Sequence, residues 1–285
     1  MLVFEHRVFL VYFHLDLLNF YFTKEIYMWR LIILGMFVIV TGGCSDNSGQ
    51  STLTVSPMFK QQRLSCHSLL NIDDKIWQYQ TLQFFISQVA VKNNNGQWRL
   101  WEMKENAQQT SNIALLGEDC LTNNSAQNGR WQLDFKSAID IKNVERIRFM
   151  VGIPFKDNHL NPLTQTSPLN ESSMFWVWQT GHKFLRLEMK SDDDNWLFHL
   201  GSTGCESASV MRSPANECAQ PNRIYVEFDL DNKGEIMFDL AQLLEGINLN
   251  ADSRCLSAPN NVTCQQLFNN MMGNEQQVFK ASRHD

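Results

Sequence analysis

The stretch YQTLQFFISQVAV, residues Tyr79–Val91, is rich in β-branched and aromatic residues, which favour a β-strand. The turn sequence NNNG follows it and leads into the apolar and aromatic segment Trp98–Met103. Two strand-like segments joined by an Asn/Gly turn predict a β-hairpin. Outward from this hairpin, strand-like segments and turns alternate along most of the chain.

The other predicted strands lie on the C-terminal side of this hairpin: Arg130–Phe135, the alternating apolar positions of 147–153, Phe184–Met189, Trp196–Leu200, Arg223–Leu230 and Glu235–Leu240. Short helices are predicted at Ala241–Glu245 and Gln265–Met272. We find neither an internal repeat nor the β-α-β alternation of a parallel sheet. The sequence therefore predicts an all-β fold: an antiparallel β-sandwich-like single domain with long loops, short C-terminal helices and disulfides.

The composition excludes several classes of protein. The net charge of −6 and the lack of any Lys/Arg cluster argue against nucleic-acid binding. GxSxG, HExxH, Walker and dinucleotide motifs are missing from the sequence. The turn DNKG at 231–234 resembles a calcium loop, but Lys233 and Leu240 occupy positions where that loop carries ligands. No hydrolase, nucleotide or calcium function is predicted.

The N-terminal residues indicate export. The run MWRLIILGMFVIVTGGCS, residues 28–45, has one Arg, a short apolar core and small residues before Cys44, which is typical of a signal peptide. It resembles a bacterial lipoprotein signal in which Cys44 becomes lipidated, although Thr41 stands where Leu is usual. We predict a signal-peptide region at 1–43, with Met28 as the true start or residues 1–27 as a second hydrophobic segment, then a lipid-anchored polar tether at 44–62 and a β domain at 63–285.

Cysteine usage agrees with an oxidising compartment. Seven cysteines minus Cys44 leave six, an even number that in an exported chain indicates three disulfides. Sequence alone leaves the connectivity open. We favour the pairs Cys205–Cys218, Cys255–Cys264 and Cys66–Cys120, because the first two close short loops rich in Pro, Asn and Ser. A cysteine metal site is disfavoured, because no CxxC pair is present.

The segment MFWVWQ, residues 174–179, combines a thioether with two indoles. If it is a strand, Met174, Trp176 and Trp178 share one face. A strand buried on both faces also needs large apolar residues, so packing alone explains the pattern equally simply.

Four sequence blocks together resemble the MbnP family, whose members are periplasmic copper-binding proteins of bacterial methanobactin operons and other copper-related settings. The blocks are GIPFKDNH (152–159), SPLN with MFWVWQ (167–179), GHKFLRLE (181–188) and FHLGSTGC (198–205), followed by Cys218 and PNR at 221–223. His182 departs from the family pattern, in which tyrosine is usual.

The resemblance implies an unusual metal site. In that family the first Trp of the W-x-W motif, here Trp176, is oxidised to kynurenine by a dihaem c-type enzyme of the MauG and cytochrome c peroxidase superfamily, and Cu(I) is bound by a His, a Met, solvent and the kynurenine. An indole N–H has no lone pair to offer, whereas ring opening yields an amine and a ketone. Thioether and imidazole suit Cu(I), so Met174 is the expected thioether ligand.

The histidine ligand has two candidates among the five histidines after residue 44, which are His67, His159, His182, His199 and His284. His159 precedes the Met174 segment in a loop and is the first choice. His199 is the second, and a structural histidine is the alternative for it. Trp178 and His182 are expected beside the metal ligands rather than among them, with an extra ligand left open for His182.

The predicted function is a non-enzymatic Cu(I)-binding lipoprotein of the bacterial periplasm, anchored to the membrane, most simply the outer one, and acting in copper homeostasis. Its expected partners are the dihaem enzyme and the membrane. The alternative is a metal-free cell-envelope interaction module in which the aromatic segment is structural core. A copper oxidase is disfavoured, because one Cu(I) with soft ligands favours holding the metal.

Overall fold

The computed structural model describes residues 49–121, 130–177, 179–231, 233–273 and 277–282. Two β-sheets dominate this part of the chain, which confirms the predicted all-β, sandwich-like fold. The predicted signal region 1–43 and the predicted lipidation site Cys44 lie outside the described residues. No helix within these ranges has both the length and the apolar character needed to cross a membrane.

The strands are β1 Gln50–Phe59, β2 Gln62–Arg63, β3 Leu70–Ile72, β4 Lys75–Asn93, β5 Trp98–Leu100, β6 Ile113–Asp119, β7 Gln132–Ile139, β8 Val144–Val151, β9 Lys183–Lys190, β10 Asn195–Gly201, β11 Ile224–Asp229, β12 Glu235–Asp239 and β13 Phe279–Ala281. The α-helices are α1 Phe155–Asn158, α2 Leu240–Leu243 and α3 Val262–Met272, and 3₁₀ turns occupy Ile141–Asn143, Pro162–Thr164, Ser172–Met174 and Ala251–Ser253.

Strand β4 is the centre of the larger sheet. One of its edges pairs with β9 along its first half and with β8 along its second half, and its other edge pairs with β3, β6 and β5. Outer strands β10 and β11 complete the order β10-β9-β4-β8-β11. A bulge interrupts the β4–β8 register between Ser87 and Ala90, where Gln88 takes a left-handed φ of 56°, and such bulges bend the strand that carries them.

The smaller sheet has the order β13-β12-β1-β2, with β7 also paired to β1. Strands β1 and β12 run parallel, and the other named strand pairs of the described residues are antiparallel. The prediction of a polar tether over 44–62 is therefore wrong from Gln50 onward. Leu53, Val55 and Phe59 alternate with polar residues and are buried, so this Ser/Thr-rich segment is a core strand.

An aromatic cluster joins the two sheets. Phe84 of β4 stacks on Phe238 of β12 at 5.2 Å between ring centroids, and Phe279 of β13 meets both rings at 5.6 and 5.2 Å. Phe149 of β8 meets Phe279 at 5.3 Å. Aromatic pairs of this kind contribute about 0.5–1.5 kcal/mol each beyond their buried area, so the cluster fixes how the sheets face each other.

Three disulfides link the loops, in the predicted pairs Cys66–Cys120, Cys205–Cys218 and Cys255–Cys264. The last of them ties the segment after the 3₁₀ turn Ala251–Ser253, which lies alongside β10, to the first turn of α3. Asn261 caps that helix, because its side chain accepts a hydrogen bond from the Cys264 N–H. The Cys205–Cys218 and Cys255–Cys264 disulfides therefore fasten irregular segments that follow or flank β10, and Cys66–Cys120 joins the segment before β3 to the end of β6.

Candidate metal centre

The segment that carries Met174 and Trp176 is a tight loop and not the predicted strand. Ser172–Met174 is a 3₁₀ turn, and Phe175 forms a single antiparallel bridge with His182. The backbone N–H of Trp176 donates a hydrogen bond to the backbone oxygen of Gly181 at 3.0 Å. These local hydrogen bonds replace a strand ladder, so the strand alternation predicted for Met174 and Trp176 is wrong. Trp178 itself lies outside the described residues.

Two charged side chains hold the turn that presents Met174. The Glu171 carboxylate caps it by accepting from the Ser173 N–H at 3.2 Å and from the Ser173 hydroxyl at 2.9 Å. Lys183 of β9 donates to Ser173 O at 2.8 Å, and burial lowers the pKa of Lys183. The Met174 side chain is fully buried. A thioether is thereby fixed in an apolar setting at the base of the loop.

The Trp176 indole lies over β10. A Cβ atom at position 201 would lie 2.7 Å from Trp176 Cζ3. Any residue other than glycine would therefore clash with the indole. The ring centroids of Trp176 and His199 are 6.5 Å apart. Trp176 is half-buried, and the structure therefore brings an indole and an imidazole together at the end of β10.

The backbone around His199 is held by the neighbouring disulfide-linked segment. His199 N donates to Cys255 O at 2.9 Å. The Ser257 hydroxyl donates to His199 O at 2.8 Å and accepts from Gly201 N at 2.9 Å. Strand β10, predicted as Trp196–Leu200, places Trp196 and Phe198 in the core and His199 on the opposite face.

The His199 ring pairs with a carboxylate. Its Nε2 lies 2.8 Å from Glu188 Oε1 on β9. The His199 hydrogen bond is the main cause that lowers the pKa of Glu188 to about 2, and Arg186 adds to it. Burial lowers the pKa of His199, an effect that outweighs the attraction of Glu188. At neutral pH the pair is therefore a carboxylate and a neutral imidazole.

His159, the first-choice ligand from sequence, lies against the Cys205–Cys218 disulfide. Its Nε2 is 3.8 Å from Cys218 Sγ and its ring is 4.9 Å from that of Phe155. Donor atoms of His159, Cys205 and Cys218 lie within 4.8 Å of one another. Metal-binding cysteines ligate as thiolates, and these two sulfurs are bonded to each other. The trio is therefore not a Cys₂His site in this oxidised form.

Asn158 and His182 connect the His159 segment to the tryptophan loop. Asn158 Oδ1 accepts from His182 N at 2.8 Å, and Asn158 Nδ2 donates to Thr180 O at 3.3 Å. The His182 ring nitrogens face Asn158 O at 3.1 Å and Leu169 O at 2.9 Å. Burial lowers the pKa of His182. This ring is committed to backbone carbonyls and serves as a cross-link rather than as an extra ligand.

The candidate donors suit Cu(I) by chemical type. A thioether and a neutral imidazole are soft and borderline donors, and the loop sets Met174 two residues before the indole that faces His199. The indole offers no lone pair until its ring is opened. His284 lies outside the described residues.

Sequence reasoning missed Glu188, Asn158, Lys183 and Gly201. Alternation in the segment KFLRLEMK could have placed Arg186 and Glu188 on the polar face of β9. Nothing in the sequence pattern marks Gly201 or Asn158.

Fold and site together define a disulfide-linked β-sandwich protein with a candidate metal centre made of methionine, histidine and tryptophan. The MbnP family model matches residues 48–264, and the chain belongs to the MbnP family. Family membership suggests a non-enzymatic role in the methanobactin and copper system.

One solved structure supports the same fold. MbnP from Methylosinus trichosporium is 20% identical with a TM-score of 0.66, over 76% of this chain and 86% of that chain. A search of curated proteins gave no match.

Proposed function

We propose that this protein binds one Cu(I) ion through Met174, His199 and a kynurenine formed from Trp176, and acts in copper homeostasis without catalysing a reaction. The observation that carries the proposal is the Trp176 indole lying against His199, 6.5 Å between ring centroids, in a chain of the MbnP family. Cu(I) favours few, soft ligands, which fits the buried thioether and the neutral imidazole.

Oxidation of Trp176 supplies the third ligand. Ring opening adds an oxygen atom to each of the two carbons of the pyrrole double bond, and hydrolysis then releases the ring carbon as formate. The products at Trp176 are an aromatic amine and a ketone. This four-electron oxidation consumes two molecules of hydrogen peroxide, which are reduced to water at a dihaem c-type partner enzyme. Trp176 is half-buried, so the residue is partly accessible to such a partner.

The geometry favours His199 over His159 as the imidazole ligand. His199 lies beside the indole and is oriented by a carboxylate, as metal-binding histidines usually are. His159 packs against a disulfide and a phenylalanine ring. His159 remains the second candidate, because Asn158 ties its segment to the far end of the tryptophan loop.

Export and anchoring complete the proposal. Three disulfides need an oxidising compartment, which supports the bacterial periplasm, and the Cys44 signal supports lipid attachment to the outer membrane. The test is Cys44→Ala in the producing cell. Release of the protein from the membrane fraction is expected, and unchanged membrane association would rule out a lipid anchor at this cysteine.

The copper site is tested on protein co-produced with the dihaem partner. Elemental analysis measures copper, and peptide mass measures kynurenine at Trp176. Trp176→Phe should lose both, His199→Ala should lose copper but keep kynurenine, and His159→Ala should keep both. The matched control is Trp98→Phe. Trp98 lies on β5 with the guanidinium carbon of Arg148 4.2 Å from its ring centroid, so this substitution should change neither copper content nor kynurenine at Trp176.

Three outcomes would contradict the proposal or a part of it. Full copper occupancy in Trp176→Phe would show that kynurenine is not a ligand. Copper-free wild type with unmodified Trp176 would favour the metal-free envelope module instead. Loss of copper in His159→Ala but not in His199→Ala would reverse the histidine assignment.

A further inference from the structure

The carboxylate of Glu188 controls which nitrogen of His199 can face a metal. Nε2 of His199 lies 2.8 Å from Glu188 Oε1. A carboxylate only accepts hydrogen bonds, so Nε2 must carry the proton. A neutral imidazole has one N–H, and its lone pair is then on Nδ1. The tautomer of His199 follows from the position of one neighbouring side chain.

Glu188 is itself fixed from behind. Arg186 donates from Nε and Nη2 to the two carboxylate oxygens, at 2.8 Å each. Arg186 Nη1 reaches Asp119 Oδ2 at 3.3 Å, and Asp119 accepts from Leu121 N at 3.1 Å. Two-point Arg–carboxylate pairs fix orientation as well as distance. The carboxylate therefore cannot turn away from His199 without breaking this series of contacts.

The series lies at the polar face of the larger sheet and is largely buried. Arg186 and the side chain of Asp119 are only 13% and 10% exposed, and burying charges costs more than surface pairing returns. The series ends at His199, whose ring faces Trp176. This arrangement is the carboxylate–histidine pair that orients metal ligands in other proteins.

We propose that Glu188 is a positioning residue that locks His199 in the Nε2–H tautomer, so that Nδ1 is the atom presented to Cu(I). The inference rests on the proposed function for its metal. Its structural half, the locked tautomer, concerns the metal-free protein and can be measured without copper. Arg186 serves the same end by keeping both oxygens of Glu188 in place.

The first measurement is ¹⁵N NMR of the imidazole nitrogens in metal-free, full-length mature protein. Wild type should show His199 as a single Nε2–H tautomer. In Glu188→Gln the amide can donate to Nε2, so His199 should convert wholly or partly to Nδ1–H. Glu227→Gln is the matched control, because Glu227 also pairs with an arginine, Arg146, but on β11, and it should leave the His199 signals unchanged.

The second measurement is Cu(I) affinity by competition with a chromophoric chelator, on protein whose kynurenine content is matched by mass. Loss of an outer carboxylate typically costs about 10- to 100-fold in metal affinity, so Glu188→Gln should bind that much more weakly and Glu227→Gln normally. A circular dichroism spectrum like that of wild type shows that the variant is folded. The tautomer of His199 in the wild type is measured without any variant, so that result does not depend on whether Glu188→Gln folds.

The outcomes separate this inference from the copper proposal. An Nδ1–H tautomer in wild type, or a tautomer that Glu188→Gln leaves unchanged, overturns the inference even if copper binds. A locked Nε2–H tautomer that Glu188→Gln releases supports the role of Glu188, and the absence of copper in that same wild type then counts against the proposed function alone.

Discussion

Replacing Gly201 by alanine tests the contact on which the candidate centre depends. The new Cβ would lie 2.7 Å from Trp176 Cζ3, 3.1 Å from Trp176 Cη2 and 2.9 Å from His182 O. Ordinary contacts of a Cβ are 3.4–4 Å, so the indole must move by about 1 Å or the strand must yield. Overpacking of this kind costs about 1–3 kcal/mol, and the backbone oxygen on one side favours the upper half of that range.

The assay is urea unfolding of metal-free protein followed by circular dichroism. Gly273→Ala is the control, because its Cβ meets nothing closer than 3.4 Å and its φ is −62°, so its free energy of unfolding should change by less than about 0.5 kcal/mol. In Trp176→Phe the outer ring atoms are gone, and the cost of Gly201→Ala should fall by about 1 kcal/mol in that background.

Two results would refute the reasoning. Gly201→Ala could prove as stable as Gly273→Ala, which would mean that the indole does not lie on β10. Alternatively the cost of Gly201→Ala could be the same with Phe at 176, and then the backbone oxygen alone would account for it. With the contact confirmed, kynurenine yield and copper content should both fall in Gly201→Ala, because the indole is displaced from His199.

Peptide mapping without reduction should find the three bridges, and removing the Cys205–Cys218 bridge should cost about 3 kcal/mol for its short loop, measured by urea unfolding; an unchanged midpoint would contradict this. Asn158→Leu should lower the free energy of unfolding by about 1–3 kcal/mol, because the buried backbone N–H of His182 and the Thr180 O lose their hydrogen-bond partner. Amide hydrogen exchange at His182 should become faster. Burial lowers the pKa of His182 and His199, so as the pH falls the two histidines are protonated in the unfolded state before they are protonated in the folded state. The free energy of unfolding of the metal-free protein should therefore be at its full value above a pH of about 6.5. Below that pH it should decrease by up to about 1.4 kcal/mol per pH unit for each histidine. A flat stability curve from pH 7 to 5 would refute the burial of both rings. The stabilisation contributed by the Glu188 carboxylate should persist to lower pH. It should be lost only as the pH falls from the pKa of Glu188 in the unfolded chain to its folded value of about 2.

Much of the fold follows from local pattern. The segment NWLFHLG is apolar at Trp196, Phe198 and Leu200 and polar at Asn195 and His199, so the strand and the face of His199 were predictable. Short loops favoured the pairs Cys205–Cys218 and Cys255–Cys264, and Cys66–Cys120 was the pair that remained. Strand β1 was missed because Ser, Thr and Gln alternate with its apolar residues and give the segment the composition of a linker.

The tryptophan loop shows where local pattern fails. The residues of MFWVWQ have high strand propensity, but a turn forms instead, in which Val177 O accepts hydrogen bonds from the backbone N–H groups of Thr180 and Gly181, with Gly181 at a φ of +77°. The site then depends on the register of β9 against β10, which sets Glu188 diagonally beside His199. No spacing rule gives that register, and the choice between His159 and His199 depended on it.

The parallel pairing of β1 with β12 has a consequence for biosynthesis. Residues 54–58 can pair with residues 235–239 only after the latter have been synthesised. Strand β12 in turn can pair with β13 only after the residues near the C-terminus have been synthesised. Strand β1 can pair with β2 and β7 earlier, but in a chain emerging from a ribosome or a translocation pore its other edge stays unpaired until almost all of the chain is through. Such an exposed edge invites aggregation. Chaperones that hold unfolded chains should bind the nascent polypeptide during this interval, and C-terminal truncations that remove β12 should be degraded or precipitate rather than accumulate.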